Sequence, residues 1–236
     1  MTNPSQETIA STPGPGWGAG RVFAGLVAVL VLILVWASAV SLVDPDLESL
    51  AATLVLQALV AITFVGVAFV AATPEPRSEA ARALGLRRPL HPAIKYSAIA
   101  YLAYIGCALV IAVVLEPEQD DITRDLGYGE SVLGSVAAGF LIVAVAPFTE
   151  ELFFRGFVFA GLRRGGGFIV AALVSAVVWA FLHFNPDNPE GSWGVVVQLA
   201  VFGLALAWLY ERTGSVWPPI AIHALNNALA FAILTS

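Results

Sequence analysis

A few polar side chains in the second half of the chain could together hydrolyse an amide bond. They interrupt strongly apolar runs, where a charged group costs several kcal/mol unless it is paired or reached by water. Residues of this kind therefore indicate a functional site. They are Glu150, Glu151 and Arg155 in the segment 146–162, His183 near the end of the next apolar run, and His223 with Asn226 and Asn227 in the last run.

Helical spacing separates the two glutamates. Glu151 and Arg155 are four residues apart, so they share one helix face and can form an ion pair that lowers the cost of burying both. Glu150 is rotated by about 100° from Glu151 and by about 140° from Arg155, which leaves it free to face another group. We therefore expect Glu151 and Arg155 to be mainly structural. Glu150, which has no such structural explanation, is the candidate general base.

The two later groups come from other helices. His223 and Asn227 are also four residues apart and share a face, whereas His183 supplies a second imidazole. If these faces converge, the protein encloses a carboxylate, two imidazoles and an amide, which provide a general base, groups that orient water or bind a metal, and an oxyanion donor. The alternative is structural, because His223 and Asn227 could instead hydrogen-bond neighbouring helices.

The elements that position these residues are transmembrane helices. The chain is 58% hydrophobic and 12% charged, with a mean hydropathy of +0.84, whereas soluble domains carry about 25% charged residues. Unpaired backbone groups are costly in hydrocarbon, and the apolar runs lack the alternation of barrel strands, so we predict an all-α transmembrane bundle. It forms a single domain over residues 21–236 behind a disordered tail at 1–20, with spans at 21–43, 50–72, 93–115, 131–162, 168–184, 195–210 and 217–234.

Charges between the spans predict the orientation. Basic residues mark the loops at 73–92, 163–164 and 212, and acidic residues predominate in the loops at 44–48, 116–130 and 185–194. Basic loops of membrane proteins face the cytoplasm. Seven spans satisfy this alternation, with Met1 cytoplasmic and Ser236 outside. The segment 131–162 is longer than a bilayer core requires, so it tilts, extends or kinks at Pro147. A turn at Pro147 would give the alternative count of eight.

Three motifs resemble one family. The segment Glu150-Glu151-Leu-Phe-Phe-Arg155 is similar to the EExxxR motif of the CPBP (CAAX prenyl protease and bacteriocin-processing, or Abi) family. Trp179-Ala-Phe-Leu-His183 resembles its FxxxH motif, with Trp in place of Phe, and His223-Ala-Leu-Asn-Asn227 resembles its HxxxN motif. The three occur in the family's order on separate spans, and they place a CPBP-like core at about 131–234.

The resemblance implies hydrolysis of a peptide bond within the membrane. Glu150 matches the catalytic glutamate, and His183 would act with it on the attacking water. His223 and Asn227 match positions that hold this water or stabilise the oxyanion, while Glu151 and Arg155 match the supporting pair. Glu150, His183 and His223 would suit a catalytic zinc. The chain lacks HExxH, however, and the same groups could activate water without a metal, which is the alternative we favour.

Three classes of function remain for this set of residues. An intramembrane protease would act on a membrane-associated or lipidated peptide or protein. A non-enzymatic bacteriocin-immunity or scaffold protein would keep the fold but lose the catalytic positions, all of which are present. A transporter would show inverted repeats, which the sequence lacks. We expect membrane lipid and a polypeptide substrate as partners, no nucleic acid, and a prokaryotic plasma membrane as the location; a prenylated CAAX substrate is not assumed.

Overall fold

The protein is an all-α bundle. The structure, a computed structural model, describes residues 16–44, 49–72, 79–117, 129, 131–186 and 188–235. None of these residues belongs to a strand. In chain order the α-helices are α1 (Ala19–Ser41), α2 (Leu50–Ala72), the single turn α3 (Ala80–Ala83), α4 (Ala93–Leu115), α5 (Val132–Phe140), α6 (Ala146–Glu151), α7 (Ala160–Phe181), α8 (Pro189–Thr213) and α9 (Trp217–Leu234).

Six helical segments in the described part of the chain are long and apolar enough to cross a membrane, so the chain is an integral membrane protein. Five are single helices, and the sixth runs continuously over Val132–Phe181. The sequence predicts two spans in that region. Gly167 reconciles the two counts, because its φ of 70° and ψ of 172° break the helix there. A residue with a side chain rarely adopts this conformation. The arms 132–166 and 168–181 correspond to two of the seven predicted spans.

The helix does not turn back at Pro147. It passes through a first π-helical stretch (Leu141–Val145), then α6 with Pro147 in its first turn, and then a second π-helical stretch (Leu152–Phe159). The alternative count of eight spans, which needs a turn at Pro147, is therefore wrong. Proline distorts a helix because it lacks an N–H, and π-helical turns often occur at functional sites.

Local signals set the bounds of α8. The helix begins six residues before the predicted span, because Oδ1 of Asn188 accepts a 3.2 Å hydrogen bond from the N–H of Gly191 and Pro189 occupies the first turn. It ends at Thr213, and the following Gly214 has a φ of 63°, which is typical of a glycine C-cap. The resulting helix packs against α4, α7 and α9, so it forms the centre of the bundle.

One end of the bundle collects the basic segments, and we call it the basic end. Nε of Arg87 donates to the carbonyl of Gly214 at 2.7 Å, and Oγ of Ser215 donates to the carbonyl of Arg87 at 2.6 Å. Two backbone bonds join the same segments, and we call this contact between residues 85–90 and 213–216 the clasp. Arg163 pairs with Glu211 at the same end, at 2.9 Å.

The opposite end is the acidic end, which carries Asp44, Glu116 and Glu190. The first turns of α8 meet the segment after α4 there, because a Cβ on Gly194 would lie 2.8 Å from the Cα of Pro117. The grouping of basic and acidic segments at opposite ends agrees with the alternation predicted from charge. Parts of the predicted loops, at residues 45–48, 73–78, 118–128, 130 and 187, lie outside the described residues, as does most of the predicted N-terminal tail. The tail prediction of 1–20 overlaps α1 by two residues.

Candidate active site

Glu150 lies near the middle of the arm 132–166 and is half-buried. Its Oε2 accepts a 2.6 Å hydrogen bond from Nε1 of Trp179 on α7. The described residues make no second hydrogen bond to this carboxylate. Glu150 therefore has one oxygen held by the indole and the other available for a ligand or water.

Glu151 has two partners rather than one. Its Oε1 accepts a 2.8 Å hydrogen bond from Nη1 of Arg155 and a 2.9 Å hydrogen bond from Nδ1 of His223 on α9. Glu151 and Arg155 are fully buried, and His223 is almost so. Because an ionised carboxylate can only accept, Nδ1 of His223 carries the proton, and in the neutral ring Nε2 is then an acceptor. The sequence grouped His223 with Glu150, and the structure adds a bond from its Nδ1 to Glu151 that the sequence did not indicate.

Arg155 is a charged group within the apolar core. Its guanidinium lies 4.7 Å from the centroid of the Trp179 ring, and Nη2 is 3.4 Å from the carbonyl oxygen of Gly203 on α8. Gly203 is needed for this approach, because a Cβ there would lie 2.9 Å from Cβ of Ala176 and 3.2 Å from Nη2 of Arg155. Nε of Arg155 and Oε2 of Glu151 have no hydrogen-bond partner among the described residues. The pair is thus partly satisfied, and it fixes α8 against the helix that carries both glutamates.

His183 lies in the turn just beyond the end of α7. Its Nδ1 is 3.2 Å from the carbonyl oxygen of Trp179, which can only accept, so Nδ1 donates and Nε2 is the free acceptor of the neutral ring. The Trp179 ring packs edge-on against both histidines, with centroid distances of 5.2 Å to His183 and 5.4 Å to His223. Trp179 therefore contacts every ionisable group of the site except Glu151.

Asn227 has a backbone partner that the sequence did not indicate. Its Nδ2 donates a 2.9 Å hydrogen bond to the carbonyl oxygen of Ile142 in the first π-helical stretch. In that stretch the N–H of Ala146 bonds the carbonyl of Leu141, so the next carbonyl, that of Ile142, would require an N–H from Pro147. Proline has none. Asn227 satisfies the carbonyl that Pro147 leaves unpaired, and its amide keeps a second hydrogen for another acceptor.

These residues line one large cavity of about 1300 Å³ inside the bundle. Glu150, Trp179, His183, His223 and Asn227 all contribute to its wall, together with apolar residues and a few uncharged polar ones. The structure thus brings together every residue that the sequence assigned to catalysis. Glu151 and Arg155 lie behind the wall, where they contact His223 and Trp179.

The geometry of the site supports a metal centre less than it supports activation of water by the side chains alone. Glu150, His183 and His223 were the predicted zinc ligands, but in the described part of the chain no three His, Cys, Asp or Glu side chains are grouped closely enough to hold a metal ion. Glu150 bonds an indole and His223 bonds the neighbouring glutamate. These bonds leave Oε1 of Glu150 and Nε2 of His223 free, so it is the spacing of the three side chains that does not form a ligand set.

Sequence reasoning missed two residues that shape the site. The motif comparison gives Trp179 only as an aromatic residue in place of Phe, yet its N–H is the hydrogen-bond donor to Glu150, a bond that Phe could not make. Gly203 was not singled out, although its lack of a side chain admits Arg155. The indole N–H of a buried tryptophan usually has a hydrogen-bond partner. The tryptophan at position 179 was therefore the sequence signal that could have indicated this bond.

Comparison with known proteins supports the resemblance drawn from the three motifs. Residues 132–229 match the family model described as type II CAAX prenyl endopeptidase Rce1-like. In Bacillus subtilis (strain 168), "Uncharacterized protein YyaK" is 27% identical over 146 residues, which are 60% of this chain and 48% of that protein. "Putative membrane peptidase YdiL" from the same organism is 27% identical over 110 residues, 45% of this chain and 42% of that protein. The chain spans about half the length of these curated relatives. No solved structure matches it.

Proposed function

We propose that this chain is an intramembrane endopeptidase. The proposal starts from the similarity of residues 132–229 to type II CAAX prenyl endopeptidases of the Rce1-like family. The family likeness, together with a relative named as a membrane peptidase, supports proteolysis as the general activity. The specific mechanism and the substrate are proposals that rest on the geometry of the site.

One observation carries the proposal. A half-buried carboxylate, Glu150, lies at the wall of a cavity of about 1300 Å³ within an apolar bundle, and two imidazoles and an amide line the same cavity. A purely structural bundle gains nothing from an ionisable group with a free oxygen beside a large cavity, because such a group is costly to place there. Hydrolysis of a peptide bond needs a base beside a space that admits both water and a peptide segment. Glu150 and the cavity together would provide these.

Glu150 acts as the general base in the proposed reaction. Its free carboxylate oxygen takes a proton from water, and the water oxygen attacks the carbonyl carbon of the peptide bond. The C–N bond of the tetrahedral intermediate then breaks, and the proton held by Glu150 passes to the leaving amine. The products are a carboxylic acid and an amine, so one water is consumed for each peptide bond.

The other residues assist this reaction. Nε2 of His183 and of His223 accepts hydrogen bonds and orients the attacking water. The second amide hydrogen of Asn227 is available for the developing oxyanion. Glu151 holds the ring of His223 through Nδ1 and thus acts as a positioning residue, in addition to its pairing with Arg155. No step is routed through a metal, because the described side chains do not form a ligand set.

The proposed substrate is a membrane-associated or lipidated peptide or protein, and the proposed location is a prokaryotic plasma membrane with the N-terminus cytoplasmic. Comparative membrane proteomics of cells that carry the wild-type protein or Glu150→Ala would test the activity and identify a substrate. We expect a polypeptide that is cleaved only with the wild type. Glu190→Ala, which removes an exposed carboxylate at the acidic end, is the matched control and should behave as the wild type.

A non-enzymatic bacteriocin-immunity or scaffold protein is the alternative outcome of the same experiment. In that case deletion of the protein would produce a phenotype, and Glu150→Ala would complement the deletion fully. No membrane polypeptide would be cleaved in the strain with the wild-type protein or in the strain with the variant. Such a result would contradict the proposed protease activity.

A further inference from the structure

The cavity extends from the middle of the bundle towards one end only. Its deepest polar residues, Glu150 and His223, lie in the central part of their helices. From there the lining follows Thr53 and Leu50 at the start of α2, Pro186 and Ser192 before and at the start of α8, and Leu234 at the end of α9. All of these lie at the acidic end.

The basic end is closed by packed side chains. Leu84, Phe157 and Val216 are fully buried there, and Gly156 approaches the carbonyl of Leu84 so closely that a Cβ would lie 2.5 Å from its oxygen. The clasp joins the backbone across the same region. Residues 84–90, 152–168 and 211–217 contribute nothing to the cavity wall. A polypeptide could not reach Glu150 from this end without unfolding that core.

The charge of the wall restricts what the cavity can bind. Glu150 and the two histidines are the only ionisable acids or bases of the Asp, Glu, His, Lys and Arg types among the described lining residues, and the other polar groups include Gln57, Tyr101 and Gln198. No lysine or arginine is among the described residues that line it. A free carboxylate or a phosphate would therefore be desolvated in the cavity without a cation to pair with, and it would also be repelled by Glu150.

We infer that the substrate is an internal, uncharged and largely apolar stretch of a polypeptide, and that it reaches Glu150 from the acidic end, which is the extracytoplasmic side. This inference rests on the proposed function for its chemistry, while the direction of access rests on the cavity alone. Basic segments face the cytoplasm, so the acidic end faces outward. The peptide bond that is cleaved lies within the chain of the substrate, away from a terminal carboxylate.

Access can be measured without any enzymatic activity. Cys107 is the only cysteine of the chain, so Cys107→Ser gives a background free of thiols. In this background Gln198→Cys reports on the cavity wall, and Arg212→Cys, at an exposed position of the basic end, is the matched control. A charged, membrane-impermeant methanethiosulfonate is applied to spheroplasts, which expose the outer face, and to inverted vesicles, which expose the cytoplasmic face.

We expect Gln198→Cys to be labelled in spheroplasts and to lose this labelling in inverted vesicles, with the reverse result for Arg212→Cys. Labelling of both cysteines from the same face would overturn the direction of access. So would labelling of Gln198→Cys only after detergent is added, since the cavity would then be closed to both faces. Gln57→Cys, across the cavity on α2, repeats the measurement if Gln198→Cys does not fold.

Peptide protection tests the substrate class. An apolar, uncharged peptide with a capped N-terminus and an amidated C-terminus should slow the labelling of Gln198→Cys, and the same peptide with a free C-terminal carboxylate should slow it less. Equal or stronger protection by the free carboxylate, or no protection by either peptide, would overturn the substrate class. If the amidated peptide protects but purified wild-type protein never cleaves it, the proposed protease function fails while the binding inference stands.

Discussion

Nε1 of Trp179 donates a 2.6 Å hydrogen bond to Oε2 of Glu150, and the two residues lie on different helices. The same indole ring packs against both histidines of the site and against the guanidinium of Arg155. The candidate general base, Glu150, is therefore oriented by Trp179, a residue that is not itself ionisable. The role of this orientation can therefore be tested by a substitution of Trp179, which leaves the carboxylate of Glu150 intact.

Trp179→Phe should lower kcat and leave KM nearly unchanged. The substitution keeps an aromatic ring but removes the donor to Glu150, and a hydrogen bond to a charged group contributes about 1.5–3 kcal/mol, or roughly 10-fold to 100-fold in rate. The matched control is Trp17→Phe, which removes a 2.9 Å bond from a buried indole to the carbonyl of Phe157, away from the cavity. That variant should lose stability but keep the kcat of the folded protein. Equal effects of the two substitutions on kcat would contradict a positioning role.

Glu150→Gln should fold normally and lose hydrolysis by roughly 10²-fold to 10⁴-fold, the range expected for a lost acid–base group. The measurement is turnover of a membrane-presented peptide by purified protein. Glu151→Gln provides the comparison, since it keeps an acceptor for His223 but loses the charge that pairs with Arg155, so it should reduce stability more than Glu150→Gln does. Near wild-type turnover by Glu150→Gln, with complete loss in Glu151→Gln, would show that the two glutamates have the opposite roles.

Arg155→Ala should lower the amount of folded protein in the membrane. Removal of one partner of a buried ion pair leaves an uncompensated charge on Glu151, at a cost of about 3–5 kcal/mol. Replacing both residues, as in Glu151→Gln with Arg155→Met, should restore part of the abundance. The measurement is the yield of monodisperse protein after extraction. Normal yield with abolished turnover in Arg155→Ala would instead assign Arg155 to the chemistry.

Asn227→Ala should destabilise the protein by about 1–3 kcal/mol, because the carbonyl of Ile142 would lose its partner in an apolar environment. The effect should be smaller in the background of Pro147→Ala, where residue 147 regains an N–H that can reach this carbonyl. A thermodynamic cycle of thermal unfolding over the four variants measures the coupling. Strict additivity would mean that Pro147 is not the reason why Ile142 needs Asn227.

Reporter fusions should place Met1 in the cytoplasm and Ser236 outside. The reason is that an odd number of spans satisfies the basic loops, and the break at Gly167 provides the seventh. Fusions at residues 88 and 164 should report the cytoplasm as well. A fusion after Ser236 that reports the same side as one at Met1 would contradict the count.

The sequence predicted the class of fold and the ion pair behind the candidate site, because both depend on local patterns. Apolar runs of about 23 residues give the helices α1, α2 and α4 with the expected bounds to within two residues. The spacing of Glu151 and Arg155 gives the ion pair. Each of these features is fixed by residues that are close in sequence.

Contacts between distant helices could not be predicted in the same way. Helical spacing shows which residues share a face, but it does not specify the rotation of one helix against another. The bond between His223 and Glu151 was therefore not expected from the sequence. The pairing of Asn227 with Ile142 depends on the π-helical register before Pro147, which no hydropathy pattern reveals.

The clasp has a consequence for biogenesis. Arg87 and Gly214, which it joins, are 127 residues apart, and four of the seven predicted crossings are synthesised between them. On the ribosome the segment 85–90 therefore emerges long before its partner, and its polar groups remain hydrated at the membrane surface until the turn before α9 is made. The clasp itself can form only at the end of translation. A product that terminates before residue 213 would lack this contact and be a target for cellular quality control.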